Sequence, residues 1–210
     1  MSNYQLFHND LPFQALKTFK GDVSVDTETL GLNIKRDRLC LVQLRNESNK
    51  KMYLIKFDND LSPKNSKNLK TLMENKNLTK IFHYARFDMA ILKENLSINV
   101  NNIFCTKIAS KLTRTYSSKH GLKDLVKEIL DIELDKNEQT SDWSRKKLTK
   151  LQIKYALNDI LYLSDLKINL FSKLDELKRL KTFNSLMKLL KIRVELDLMG
   201  WENTDIFAHK

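Results

Sequence analysis

The stretch Val23-Ser24-Val25-Asp26-Thr27-Glu28-Thr29-Leu30-Gly31-Leu32 constrains this chain more than any other. The run before Asp26 is short and β-branched and follows Gly21, which predicts a buried strand over residues 22–26. Residues two apart on a strand share a face. Asp26 and Glu28 therefore present two carboxylates side by side. Buried like charges repel, so one is forced neutral unless a cation lies between them. A divalent ion with oxygen ligands is the economical answer. Alone, the same letters also describe a strand end running into a polar turn. The rest of the chain decides.

Two more strand patterns follow, at 39–45 and 51–57, with Leu39-Cys40-Leu41-Val42-Gln43-Leu44 the stronger. Short links between the three predict an antiparallel meander. The link after Gly31 carries Lys35, Arg36 and Arg38. Residues 66–75 fit a helix with Leu69, Leu72 and Met73 on one face. A strand at 81–84 feeds a helix at about 86–95, and a short strand at 104–106 feeds a helix at 107–115. From Leu122 the pattern is almost wholly helical, at 122–130, 149–174 and 177–198. Strands followed by mixed βα units predict an α/β fold with a mixed central sheet flanked by helices. The length suits a single domain over 1–210.

Charge and cysteine usage narrow the function classes. The chain has 37 basic and 26 acidic residues, a formal charge of +11. Such a surplus favours an anionic partner, most commonly nucleic acid. Lysine-rich stretches such as Lys64–Lys80 weaken the point, because they also read as compositional bias. Cys40 and Cys105 each lie in an apolar run and read as two buried thiols in a reducing compartment. The four histidines are scattered and no Cys-x-x-Cys occurs, so no zinc ligand set is present. No signal-peptide core lies in residues 1–20 and no run reaches membrane-spanning length. A soluble, cytoplasmic protein is expected. The tail from Trp201 to Lys210 places Trp201, Ile206 and Phe207 where chains usually fray. It either folds back on its own core or, as residues 199–210, docks on another subunit.

Two further acids stand in suggestive settings. Asp88 lies in the first turn of the 86–95 helix beside the apolar Ile91 and Leu92. Acidic residues suit helix starts, yet a carboxylate against an apolar face is poorly solvated without a partner. Asp159 and Tyr155 are four apart on one helical face. In this order, Asp26-x-Glu28, Asp88 and Tyr155-x-x-x-Asp159 resemble the three motifs of the DEDD 3′–5′ exonucleases, tyrosine subtype. Gln139-Thr140-Ser141-Asp142-Trp143, Leu148, Gln152 and Tyr155-Ala156 resemble the RNase D group's approach to its third motif. The residues from Phe104 to Tyr116, His120-Gly121-Leu122-Lys123 and the tail from Leu196 to His209 are similar to the compact nano-RNase C type within that group.

The resemblance implies an RNase H-like fold, two divalent ions (Mg²⁺ or Mn²⁺), action on very short RNA and a homo-octameric ring. On this reading Asp26 bridges the ions, Glu28 and Asp159 complete one site, and Asp88 holds the second. Two such ions activate a water and stabilise the leaving 3′ oxygen. Tyr155 orients the water rather than removing its proton, because a phenol is normally protonated near neutral pH. Substrate contacts are expected from Thr27, from Leu32 as an apolar wedge between bases, and from His83 at the scissile phosphate or terminal sugar. Leu32 also reads as a turn residue closing the core, and His83 as a satisfied strand histidine. Lys107, Arg114, Tyr116, His120 and Lys123 gather near two helix starts, where phosphate binds well. Some of them are expected to cap the 5′ phosphate of a dinucleotide. The expected activity is thus hydrolysis of 5′-phosphorylated diribonucleotides. The rivals are a general 3′–5′ exonuclease on longer RNA or DNA ends and a nucleic-acid-binding domain without chemistry.

Overall fold

Six strands build one mixed sheet in the order β1-β4-β3-β2-β5-β6, in a computed structural model describing residues 4–58, 61–134 and 140–209. The strands are β1 (Tyr4–His8), β2 (Asp22–Thr29), β3 (Leu39–Asn46), β4 (Met52–Lys56), β5 (Thr79–Phe82) and β6 (Ile103–Cys105). β2, β3 and β4 form the expected antiparallel meander. β5 and β6 then add in parallel beyond β2. The helices are α1 (Phe13–Leu16), α2 (Lys67–Glu74), α3 (Ala85–Leu96), α4 (Thr106–Thr113), α5 (Leu122–Leu130), α6 (Lys150–Leu161), α7 (Leu163–Glu176) and α8 (Leu180–Leu196). Gln139 lies outside the described residues.

Burial explains which strands show in the sequence. Val23, Val25, Leu39, Cys40, Leu41, Val42, Leu44, Leu54 and Ile55 are fully enclosed. Strands covered on both faces read as continuous apolar runs. β1 was not expected. It lies at the sheet edge, parallel to β4, with most of its residues exposed, so it leaves no apolar alternation. Both cysteines are buried and free.

Two helical expectations need correcting. The single helix expected over 149–174 is two, divided at Tyr162, whose ψ is 0°. Leu163, Leu166 and Leu170 continue the apolar spacing across the break, which hides it from periodicity. The helix expected over 177–198 begins at Leu180 and passes into a π-helical turn, Asp197–Trp201, where Gly200 takes φ 99°. That left-handed value favours glycine.

The tail does not pack into the chain's own core. Asp197 is buried and accepts from Arg86 Nε at 2.6 Å, Arg86 Nη2 at 2.8 Å and Arg193 Nε at 2.9 Å. The same guanidinium groups donate to tail carbonyls: Arg86 to Glu202, and Arg193 to Thr204 and Trp201. The backbone is thereby held while Phe207 stays 80% exposed.

Candidate active site

The meander delivers the first two acids. On β2, Asp26 lies opposite Gln43 of β3 and Glu28 opposite Leu41. The period-two geometry puts both carboxylates on one face. α6 supplies Asp159 to that face. Carboxylate oxygens of Asp26, Glu28 and Asp159 lie within 4.8 Å of one another. Asp88, in the first turn of α3, closes the group by electrostatic contact with all three. Its Oδ1 accepts the Thr27 hydroxyl at 2.7 Å.

Local sequence fixes α6. Thr149 and Gln152 form a reciprocal capping box, with bonds of 3.1 Å and 2.9 Å. Such pairing satisfies two otherwise orphan donors at a helix start. Gln152 also donates to Ser141 Oγ at 2.6 Å and to the Asp142 carbonyl at 2.9 Å. That pins residues 140–144 and seats buried Trp143 with its ring 6.1 Å from Tyr155. At the other end, Arg45 of β3 donates to the Leu161 carbonyl at 2.7 Å.

The electrostatics call for a cation. Burial, then the charges of Asp88, Asp159 and Glu28, raises Asp26 well above the usual carboxylate range. Burial, then Asp159 and Asp88, does the same to Glu28. Burial pushes Asp88 up to about 7, opposed by the Thr27 hydroxyl. Asp159 also rises to about 7, through burial and Asp88, opposed by the Tyr155 hydroxyl. Among the described residues, no lysine or arginine offsets any of the four. Tyr155 is pushed far up by burial and then by Asp159, Glu28 and Asp26, so its phenol keeps its proton. An all-oxygen, anionic, partly buried cluster without a counter-charge fits hard divalent ions such as Mg²⁺ or Mn²⁺.

Other expected contacts fall into different places. Leu32 is 84% exposed, so it does not close the core. The loop presenting it depends on Gly31, where a Cβ would overlap the Asp37 carboxylate. Asp37 Oδ2 in turn accepts the Asn33 N–H at 2.9 Å. His83 Nδ1 meets Thr106 Oγ1 at 2.9 Å. Burial, then Lys107, lowers His83 to about 3, so its ring is neutral. Lys107 Nζ lies 4.3 Å from the centre of the Tyr84 ring. His120 Nδ1 meets Ser110 Oγ at 2.8 Å. Lys123 is exposed in the first turn of α5, and Tyr116 is exposed with its hydroxyl donating to Glu128 Oε1 at 2.7 Å.

Two residues are used differently from the expected substrate contact. Arg114 is buried, and its guanidinium donates to Glu128, to Ser110 Oγ at 3.0 Å and to the Lys119 carbonyl at 2.6 Å. It scaffolds the loop that carries His120. Thr27 is also buried, with its hydroxyl directed at Asp88. Gln43 adds a neighbour outside the expected set. It is fully buried, its Nε2 lies 3.5 Å from Glu28 Oε1, and its Oε1 has no partner among the described residues. A lone glutamine inside an apolar core strand was the available signal.

An RNase H-like sheet carrying four convergent carboxylates and a tyrosine defines a metal-dependent phosphodiester-cleaving enzyme of the DEDD class. Residues 10–175 match the model of the 3′–5′ exonuclease family, and the chain belongs to that family. Ribonuclease D of Desulfotalea psychrophila is 34% identical over 152 residues, covering 72% of this chain and 39% of that protein. The chain thus aligns with well under half the length of that relative. Likeness to solved structures runs end to end. Brucella melitensis NrnC bound to pGG is 42% identical with a TM-score of 0.93, covering 100% of both chains. The same Brucella protein with bound Mg²⁺ is 41% identical with a TM-score of 0.92, again covering 100% of both.

Proposed function

We propose that this chain is a 3′–5′ exoribonuclease that splits very short, 5′-phosphorylated RNA, diribonucleotides above all, into mononucleotides. The supporting observation is the full-length likeness to a nuclease bound to pGG. The carboxylate cluster supplies the chemistry such a substrate needs. Asp26, Glu28 and Asp159 would hold one divalent ion, and Asp88 with Asp26 would hold a second. When bound, the pair neutralises the scissile phosphate and lowers the pKa of an attacking water. Tyr155 retains its proton and orients that water by hydrogen bonding.

The remaining contacts sort by exposure. Leu32, projecting from its loop, wedges between the two bases. Tyr116 and His120, on the loop that Arg114 braces, together with Lys107 of α4 and Lys123 of α5, attract the 5′ phosphate. His83 is neutral and largely enclosed, and its Nε2, without a partner among the described residues, is left for the scissile phosphate or the terminal sugar. Residues 1–210 act as a single exonuclease domain. The outward apolar tail, residues 199–210, joins subunits into a homo-octamer. None of the described helices is long and apolar enough to cross a membrane. Two free buried thiols accord with a cytoplasmic protein.

The test is product analysis on 5′-phosphorylated RNAs of two to seven nucleotides, with and without Mg²⁺. Dinucleotides should turn over fastest, only with metal, and not with Asp26→Asn. Removing the 5′ phosphate should slow them. Equal rates across the series, or on DNA ends, would favour a general exonuclease. Metal-independent release would sink the catalytic assignment.

A further inference from the structure

Thr27 sits between two metal-ligand candidates and points to neither. Period two turns Asp26 and Glu28 to one side of β2 and Thr27 to the other, toward α3. Its hydroxyl donates to Asp88 Oδ1 at 2.7 Å across 61 residues of chain, in a buried setting. Thr27 is 7% exposed, which leaves no access for a substrate group.

Asp88 needs such a partner. It comes from a helix, whereas Asp26 and Glu28 come from a strand, so the sheet register does not place it. Tyr84, the residue before α3, makes no side-chain capping bond, so the helix start is not fixed that way. Among the described residues no arginine or lysine holds the carboxylate; beside the Thr27 hydroxyl, only the backbone N–H groups of Asp88 and Thr27 donate to it. An aspartate free to rotate about its side-chain bonds would lose entropy on each binding of a cation. A hydrogen bond to one oxygen removes that freedom and leaves the other oxygen for ligation. Partners of this kind commonly matter 10–100-fold in metal affinity or activity.

We propose that Thr27 is a positioning residue that fixes the Asp88 carboxylate for the second cation. The inference rests on the two-cation reading above. Metal binding tests it without substrate. Titrate wild type, Thr27→Val, Thr27→Ser and Asp88→Asn with Mn²⁺, following bound ion by electron paramagnetic resonance. Valine keeps the shape and strand preference of threonine without the hydroxyl; serine keeps the hydroxyl.

Thr27→Val should weaken one of two Mn²⁺ sites by about 10–100-fold. Thr27→Ser should keep most of the wild-type affinity and avoid the loss of about 10–100-fold, because it retains the hydroxyl. Thr27→Val should add nothing further in an Asp88→Asn background. In turnover, kcat at limiting Mn²⁺ should fall in step and recover at high Mn²⁺, with KM for the dinucleotide unchanged. Wild-type Mn²⁺ affinity in Thr27→Val would overturn the inference and leave the two-cation reading intact. An equal loss in Thr27→Ser would also overturn it, assigning the effect to the methyl group's packing. A wild type that binds no Mn²⁺ would instead overturn the two-cation reading and the inference with it.

Discussion

At the scale of single residues, burial and mutual repulsion make the four carboxylates costly to ionise. Asp88 and Asp159 sit at about 7 in the folded chain against an ordinary 3.8. In the metal-free protein the folded state therefore binds more protons than the unfolded state between about pH 4 and 7. By linkage, stability is retained below that window and lost as pH rises through it. A bound divalent ion would take the place of those protons and offset the loss. Thermal melts in EDTA and in Mg²⁺ across pH 5–8 should show a metal-induced rise in Tm that is small at pH 5 and largest near pH 8. Asp88→Asn should raise Tm in EDTA at pH 8 while removing activity. A metal effect of the same size at both ends of the range would mean that the cluster does not carry this charge. The Asp26–Glu28 pair was legible from strand periodicity. Asp88 and Asp159 were legible only through the motif order, because nothing local places residues separated by 62 and 133 positions from Asp26. The Thr27–Asp88 bond was not legible at all, since a threonine between two acids also reads as a substrate contact.

At the scale of elements, α6 matters most, since it carries both Tyr155 and Asp159. Gln152 does two things there: it completes the cap with Thr149 and ties residues 140–144 to the helix start. A lost cap costs about 1 kcal/mol, and each lost buried hydrogen bond about 1 kcal/mol more. Gln152→Ala should therefore destabilise by roughly 2–3 kcal/mol in urea unfolding, from those two contributions. Thr149→Ala should cost only about 1 kcal/mol. Gln152→Ala should also lower kcat further, because Trp143 loses its seat against Tyr155. Equal effects of the two substitutions would show that the loop tie contributes nothing. The capping residues were visible in the sequence as part of a resemblance, but their partners at Ser141 and Asp142 were not. β3 was legible because both of its faces are buried, and edge strand β1 was hidden because its residues face solvent. The break at Tyr162 left no mark, since the chain turns there without glycine or proline.

At the scale of the whole molecule, one buried aspartate links the catalytic helix to the tail. Arg86 lies two residues before Asp88 on α3 and is bound to Asp197, whose other partner is Arg193. Both arginines grip tail carbonyls, so the tail's path is set by charge while its apolar side chains stay largely exposed beside α8. Ile206 and Phe207 line an apolar cavity of about 280 Å³ with Leu186, Leu189, Leu190 and Leu196. Apolar surface of this kind, held in place rather than frayed, is what a subunit contact requires. On the octamer proposed above, truncation before Trp201 should shift the light-scattering mass downward toward that of the 24.7 kDa chain. Asp197→Asn, which leaves the tail's sequence intact but weakens its clamp, should shift it in the same direction and lower Mn²⁺-dependent turnover through α3. Breaking a buried ion pair by removing one charge costs about 3–5 kcal/mol, so far-UV circular dichroism must first show the variant folded. An unchanged particle mass in both variants would place the subunit contacts elsewhere on the surface and reduce the clamp to a local brace of α8.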